Sequence, residues 1–208
     1  MYTGRYMTSI EACEPFFNYM RRFGELDSES GELIASRFTE VNLPRKHVIL
    51  REGECSDKIY FLVTGLGRSY YTDYTGKTIT WSFHFNNEAS VGRNVFMVDY
   101  RAFLDDKASV VTIEMLTDVK ALMISKEGVH YLIENCPAFE IWTRKQNGSA
   151  YIFMYDRAFT LLTLSATERY CKLVKEEPHL LQLFSSYYIA SYLGIAPQSL
   201  SRIRAQAH

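Results

Sequence analysis

The residues best suited to chemistry in this 208-residue chain lie close together near its C-terminal end. Between Ser186 and Arg204, the residues Gln198, Ser199, Ser201, Arg202 and Arg204 follow Pro197 in a stretch with no acidic side chain. A glutamine amide can pair in two bonds with adenine, an arginine can reach the O6 and N7 of guanine, and hydroxyls serve either base edges or phosphates. Such a set can read a nucleic-acid duplex. It can equally be the solvated polar face of an ordinary helix pair, and pattern alone leaves both open.

The elements that must position these residues read as two short helices joined by a tight turn. Ser185 or Ser186 caps the first, Ile189, Ala190 and Leu193 recur at helical spacing, and Gly194 supplies the left-handed residue that ends it. Pro197 opens the second, where its missing N–H would be unpaired anyway, and Leu200 and Ile203 form its inward face. The first turn of the second helix is where a helix-turn-helix enters the major groove. Base reading is accordingly assigned to Gln198, Ser199 and Arg202, and backbone contacts to Ser186, Tyr188, Ser201 and Arg204.

The run from Ile189 to Ile195, followed by Pro197-Gln198-Ser199-Leu200-Ser201-Arg202-Ile203, closely resembles the DNA-binding helices of Crp/Fnr-type transcription regulators, in the form common in Bacteroidetes. It departs from them at Ala196, where Ser or Thr is more usual, and at Gln198, where Glu is common. An amide donates as well as accepts, whereas a carboxylate only accepts, which implies a base preference different from that of relatives. The chain continues for four residues after Arg204, so a wing hairpin is not expected there, and Leu180 to Phe184 is too short to form one.

Earlier in the chain, Ser165-Ala-Thr-Glu168 is a capping box that starts a helix ending by Pro178. Before it, Pro137 to about Leu164 reads as one long amphipathic helix. Ile141, Gly148, Ile152, Tyr155, Phe159 and Leu162 share one stripe, while Phe139, Trp142 and Phe153 lie on another face. A helix apolar on two faces must pack against two things. The resemblance implies that one is the same helix of a second subunit, with Ile141, Gly148, Ile152, Tyr155 and Phe159 at the homodimer contact.

From Val41 the pattern changes to short β-rich runs: His47–Leu50, Ile59–Val63, Arg68–Thr72, Thr78–Phe85, Val110–Leu116 and Val119–Ile124. Gly53 and Gly65 mark turns, and Asp73 to Lys77 reads as a hairpin turn. Strands at this spacing mean a sandwich or barrel. The region resembles the double-stranded β-helix, or jelly-roll, sensor of the same family. The first forty residues read as helical, with Pro15 opening one helix through Arg22, and Ser28 or Ser30 capping another through Phe38.

The expected fold class is therefore α+β. A jelly-roll sensor domain spans 1–136, a dimerisation helix 137–164 and a helix-turn-helix domain 165–208. Cyclic-nucleotide binders of this fold hold ribose with a Gly-Glu pair and phosphate with an Arg-Ser pair. Here the corresponding residues are Asn87-Glu88-Ala89 and Lys107-Ala108-Ser109, so both elements are broken. A lysine lacks the planar fork that grips phosphate in two bonds. Glu88, Arg93 and Ser109 are the candidates for contact with an effector of unknown identity, if the pocket keeps one.

Jelly rolls also host metal enzymes, and a cupin-like small-molecule binder or metal enzyme is the alternative reading. Its signature of paired histidines with a nearby glutamate is reduced here to His84 and Glu88, with Asn86 where the second histidine would stand. The histidines at 47, 84, 130, 179 and 208 are scattered, and no phosphate loop or nucleophile elbow appears. A non-enzyme without a cofactor or bound metal is expected. Cys13, Cys55, Cys136 and Cys171 lack metal-site spacing and read as reduced, mostly buried thiols.

Composition fits a folded chain, with 47% hydrophobic and 14% aromatic residues. No apolar run approaches a membrane span, and the N-terminus lacks the apolar stretch of a signal peptide, so a cytoplasmic protein is expected. The net charge is only −1, but residues 185–208 carry +2 and the rest −3. A positive tip on an acidic body suits a modular binder of double-stranded DNA, reading an inverted repeat as a homodimer.

Overall fold

A computed structural model describes residues 9–206. Two helices, α1 (Ile10–Met20) and α2 (Ser28–Ala35), precede eight strands: β1 (Thr39–Leu43), β2 (Val48–Leu50), β3 (Lys58–Thr64), β4 (Gly67–Thr72), β5 (Thr78–His84), β6 (Phe96–Met97), β7 (Thr112–Met115) and β8 (Val119–Ser125). Short helices α3 (Gly92–Val95) and α4 (Tyr100–Asp105) flank β6. Then come α5 (Lys126–Asn135), the long α6 (Pro137–Thr163), α7 (Ala166–Glu176), α8 (Leu180–Leu183), α9 (Ser186–Tyr192) and α10 (Pro197–Gln206).

The strands form two four-stranded antiparallel sheets in the orders β1-β8-β3-β6 and β2-β7-β4-β5, the interleaving of a jelly roll. Strand alternation sorts the core. Leu62 and its partner Ala121 point between the sheets, where Leu50, Met97, Val111, Ile113, Met115 and Val119 fill the interior. The neighbouring pair Phe61 and Leu122 points outward, under Phe16, Phe17 and Trp142 of α1 and α6. Gly65, at φ +104°, turns β3 into β4 so tightly that a Cβ would stand 2.5 Å from the Asp118 carbonyl oxygen.

At the N-terminus the structure corrects the sequence reading. α1 begins at Ile10, capped by the Ser9 side chain, and Pro15 lies inside the helix rather than opening it. The N–H that Pro15 lacks would have met the carbonyl of Glu11, an exposed residue open to water. α2 is capped by Asp27, not by Ser28 or Ser30, and its carboxylate takes both the Ser30 N–H at 2.8 Å and the Ser30 hydroxyl at 2.9 Å. Cys13 and Cys136 are buried, but Cys55 and Cys171 are exposed, so burial holds for half of the thiols. Among the described residues no helix is long and apolar enough to cross a membrane.

Candidate nucleic-acid interface

Local chemistry fixes the C-terminal helix pair. Ser185 caps α9 by accepting from the Tyr188 N–H, Gly194 turns the chain at φ +69°, and Pro197 opens α10. Ile189, Ala190, Leu193, Leu200 and Ile203 are buried together, and this orients the rest of α10 outward. Gln198, Ser201 and Arg202 are exposed and Ser199 is half-buried. Arg202 Nη2 donates to Ser199 Oγ at 3.3 Å, so two of the three side chains expected to read bases support each other. Arg204 donates to Ser186 Oγ at 2.8 Å, tying the last turns of α10 to the start of α9. The interval from Leu180 to Phe184 carries a short helix, α8, and no hairpin.

Tyr188 is placed differently. Its ring lies 4.4 Å from the guanidinium of Arg68 on β4, which has the Tyr70 ring on it as well, at 4.1 Å. Arg68 is buried and donates to Glu114 Oε1 at 2.6 Å. Tyr188 therefore belongs to the seam between the helix pair and the roll.

That seam is extensive and partly polar. α9 lies along β5, an edge strand whose unpaired backbone needs partners. Ser191 Oγ supplies them, accepting from the Thr80 N–H at 2.8 Å and lying 2.9 Å from the Thr78 carbonyl oxygen, to which it can donate. Beside it Phe83 stacks on Phe184 at 4.0 Å, and Arg93 pairs with Glu177, whose other oxygen faces the Tyr192 hydroxyl at 3.4 Å.

The long helix divides its two faces along its length. Its first turns are buried through Phe139 and Trp142 against the roll. Further along, Ile152, Tyr155 and Phe159 stand 62%, 63% and 55% exposed in the single chain, with Ile141 at 42% and Leu162 at 85% on the same stripe. Gly148 is exposed, with open space where a Cβ would point. Neighbouring Tyr151 and Met154 widen the stripe into an apolar face.

The cyclic nucleotide-binding domain family matches residues 40–136, the stretch from β1 to the start of α6. Over that stretch the chain is similar to the family, and its arrangement of roll, long helix and C-terminal helices is the Crp/Fnr fold. Among solved structures it is similar to FixK2 of Bradyrhizobium japonicum, at 19% identity over 82% of this chain and 84% of that one, with a TM-score of 0.66. It is similar to CLP, the c-di-GMP-responsive global regulator of Xanthomonas campestris, at 16% identity over 87% and 92%, with a TM-score of 0.66. A mutant CooA of Carboxydothermus hydrogenoformans matches at 16% identity over 87% and 80%, with a TM-score of 0.68. No curated protein matches the chain.

In this cyclic nucleotide-binding-type domain the three candidate effector contacts do not converge. Glu88 is exposed in the bend before α3. Arg93 reaches out of the domain to Glu177 and lies over the Phe153 ring at 4.3 Å. Ser109 is buried, donating to Asp99 Oδ2 at 2.8 Å, and Lys107 pairs on the surface with Asp105. The cavity beside Leu50, Ser56, Tyr60 and Met97 measures about 40 Å³, well below the ~300 Å³ at which ligand pockets begin.

The cupin-like alternative fares no better on geometry. His84 is buried with its Nε2 at 2.6 Å from Ser69 Oγ, and burial pushes its pKa down to about 4, against the weaker opposing influence of the Asn94 and Arg93 backbone. Asn86 donates to the Leu62 carbonyl at 2.9 Å. Among the described residues no three His, Cys, Asp or Glu side chains are placed to hold a metal, and His208 lies outside those residues.

Sequence reasoning missed the buried arginines Arg68 and Arg157, together with their partners on the seam. One signal was available. Phe153, Arg157 and Thr160 continue the buried face of α6 at steps of four and three residues, placing a charge where the period calls for an apolar side chain.

Proposed function

We propose that this protein is a homodimeric, sequence-specific DNA-binding transcription regulator, working in the cytoplasm, whose jelly-roll domain has lost the cyclic-nucleotide contacts of its family. The observation that carries the reading is the exposed polar face of α10, with Gln198, Ser201 and Arg202 in solvent and Ser199 beside them, on a helix pair whose Ile189, Ala190, Leu193, Leu200 and Ile203 are turned inward. A recognition helix needs that arrangement to place amide, hydroxyl and guanidinium groups against base edges. The apolar face of α6 supplies the second requirement. A stripe of this size exposed to water favours association, and a two-fold pairing of α6 with its copy presents two α10 helices to one duplex.

An effector, if one acts, works on the seam between roll and helix pair by favouring one placement of α10 over another. Its chemistry is not that of a phosphate gripped by a Glu88, Arg93 and Ser109 cradle, because Arg93 and Ser109 are engaged elsewhere. Arg202→Ala tests the assignment. With Arg202 on a base, the substitution costs about 1–3 kcal/mol on the preferred site and relaxes selectivity at one position in each half-site. Equal weakening on every sequence makes Arg202 a phosphate contact instead.

A further inference from the structure

Two arginines of the seam, Arg157 and Arg169, converge on one end of one helix. α9 closes in a Schellman motif, with Gly194 N–H donating to the Ser191 carbonyl at 3.1 Å and Ile195 N–H to the Ala190 carbonyl at 3.0 Å. Leu193 N–H donates to the Ile189 carbonyl at 2.9 Å. The carbonyls of Tyr192 and Leu193 come next, and side chains rather than backbone meet them. Arg157 of α6 donates through Nη2 to the Tyr192 oxygen at 2.5 Å, and Arg169 of α7 donates through Nε to the Leu193 oxygen at 3.0 Å.

These two arginines stand on opposite sides of the break between α6 and α7. Arg169 also donates through Nη1 to the carbonyl of Leu164, the residue at the break, at 2.7 Å. Arg157 lies 3.8 Å from the centre of the Tyr192 ring, and its Nη2 is 3.4 Å from the Thr80 carbonyl of β5. One guanidinium thus touches the long helix, the edge of the roll and the helix pair.

Arg157 is only 5% exposed, and burying a charge in this way is costly unless it is answered. The answer is the negative end of α9, the face of Tyr192 and the nearby carboxylate of Glu177. A lysine would bring one compact charge and no planar face to stack. α10 starts at Pro197, directly beyond the turn that these arginines hold. Fixing the end of α9 fixes the point from which α10 departs.

We infer that Arg157 is a positioning residue for the recognition helix: with Arg169 it caps the C-terminal carbonyls of α9 and carries the placement of α6 and β5 through to α10. The inference rests on reading α10 as the DNA-reading helix. In a dimer paired through α6, two such caps set the separation of the two α10 helices and so the half-site spacing that the protein accepts.

The test uses the full-length protein and two readouts for Arg157→Gln, Arg157→Lys and Arg169→Gln. Without DNA, amide hydrogen exchange at Gly194 to Ser199 accelerates by about tenfold or more in Arg157→Gln, while amides of β3 and β8 keep their rates. With DNA, the wild type discriminates between its preferred inverted repeat and versions whose half-sites are moved apart by a base pair or two. Arg157→Gln binds these spacings alike and keeps its affinity for unrelated DNA, and Arg157→Lys lies between.

Unchanged exchange at Gly194 to Ser199 overturns the inference. So does exchange that rises uniformly over the chain in step with a lowered Tm while the spacing preference persists. If Arg157→Gln does not fold, the half-buried Arg169 offers the same readouts, and wild-type behaviour in Arg169→Gln overturns the cap. Should the wild type select no sequence, the DNA-reading assignment fails while the exchange readout still decides the cap.

Discussion

Burial holds the His84 imidazole neutral, with its pKa pushed down to about 4 and its Nε2 set against Ser69 Oγ. In the unfolded chain the ring titrates at about 6.5. Between those values the unfolded chain takes a proton that the folded chain refuses, so the contribution to stability is complete above about pH 6.5 and erodes as pH falls toward 4. The wild type should lose on the order of 2 kcal/mol from this group between pH 7 and pH 5. Urea unfolding of the wild type and of His84→Gln at both values checks it, since the variant lacks that part of the pH dependence. Equal pH dependence in the two proteins shows that His84 titrates normally.

The same residue scale marks the limit of reading a site from sequence. Gln198 and Arg202 could be placed because short-range chemistry puts them on the outside of a helix that Pro197 opens. Tyr188, Arg93 and Ser109 are committed to Arg68, Glu177 and Asp99, and such partners, 120, 84 and 10 residues distant, follow from tertiary packing alone.

Elements were legible where their ends carry their own signals. Ser165 and Glu168 form the reciprocal capping box that the spacing implies, with Glu168 Oε2 taking the Ser165 N–H at 2.8 Å and Ser165 Oγ taking the Glu168 N–H at 3.3 Å. The box makes the break after α6 a firm restart of helix. Ser165→Ala should lower stability by about 1 kcal/mol through the lost cap, read as a shift in the urea midpoint at constant slope. α1 and α2 were misread at their starts, because several Ser, Asp and Pro residues compete there and only the packing of Phe16, Phe17 and Ile34 selects the register. α6 was legible as a two-faced helix, but the Arg157 within it was not, since its partners Tyr192 and Thr80 come from distant parts of the chain.

At the scale of the molecule, the fold shared with FixK2, CLP and CooA sets an eight-stranded jelly roll before one long helix in the chain and a group of shorter helices after it. The proposal adds that the long helix pairs with its copy. Tyr155→Glu places a charge in the exposed apolar stripe, 63% accessible in the single chain, so the monomer fold should be kept while the pair is lost. Sedimentation should then give a monomer where the wild type is a dimer, together with weaker binding to a two-half-site duplex. A wild type that is monomeric at micromolar concentration, with and without DNA, removes the pairing from the account.

The central claim, that α10 reads DNA sequence, is tested most directly by selecting bound duplexes from a random pool with the wild-type protein. The account predicts enrichment of an inverted repeat whose half-sites are centred about one helical turn apart, bound with an affinity that falls as salt rises. A pool that emerges with no enriched sequence contradicts it.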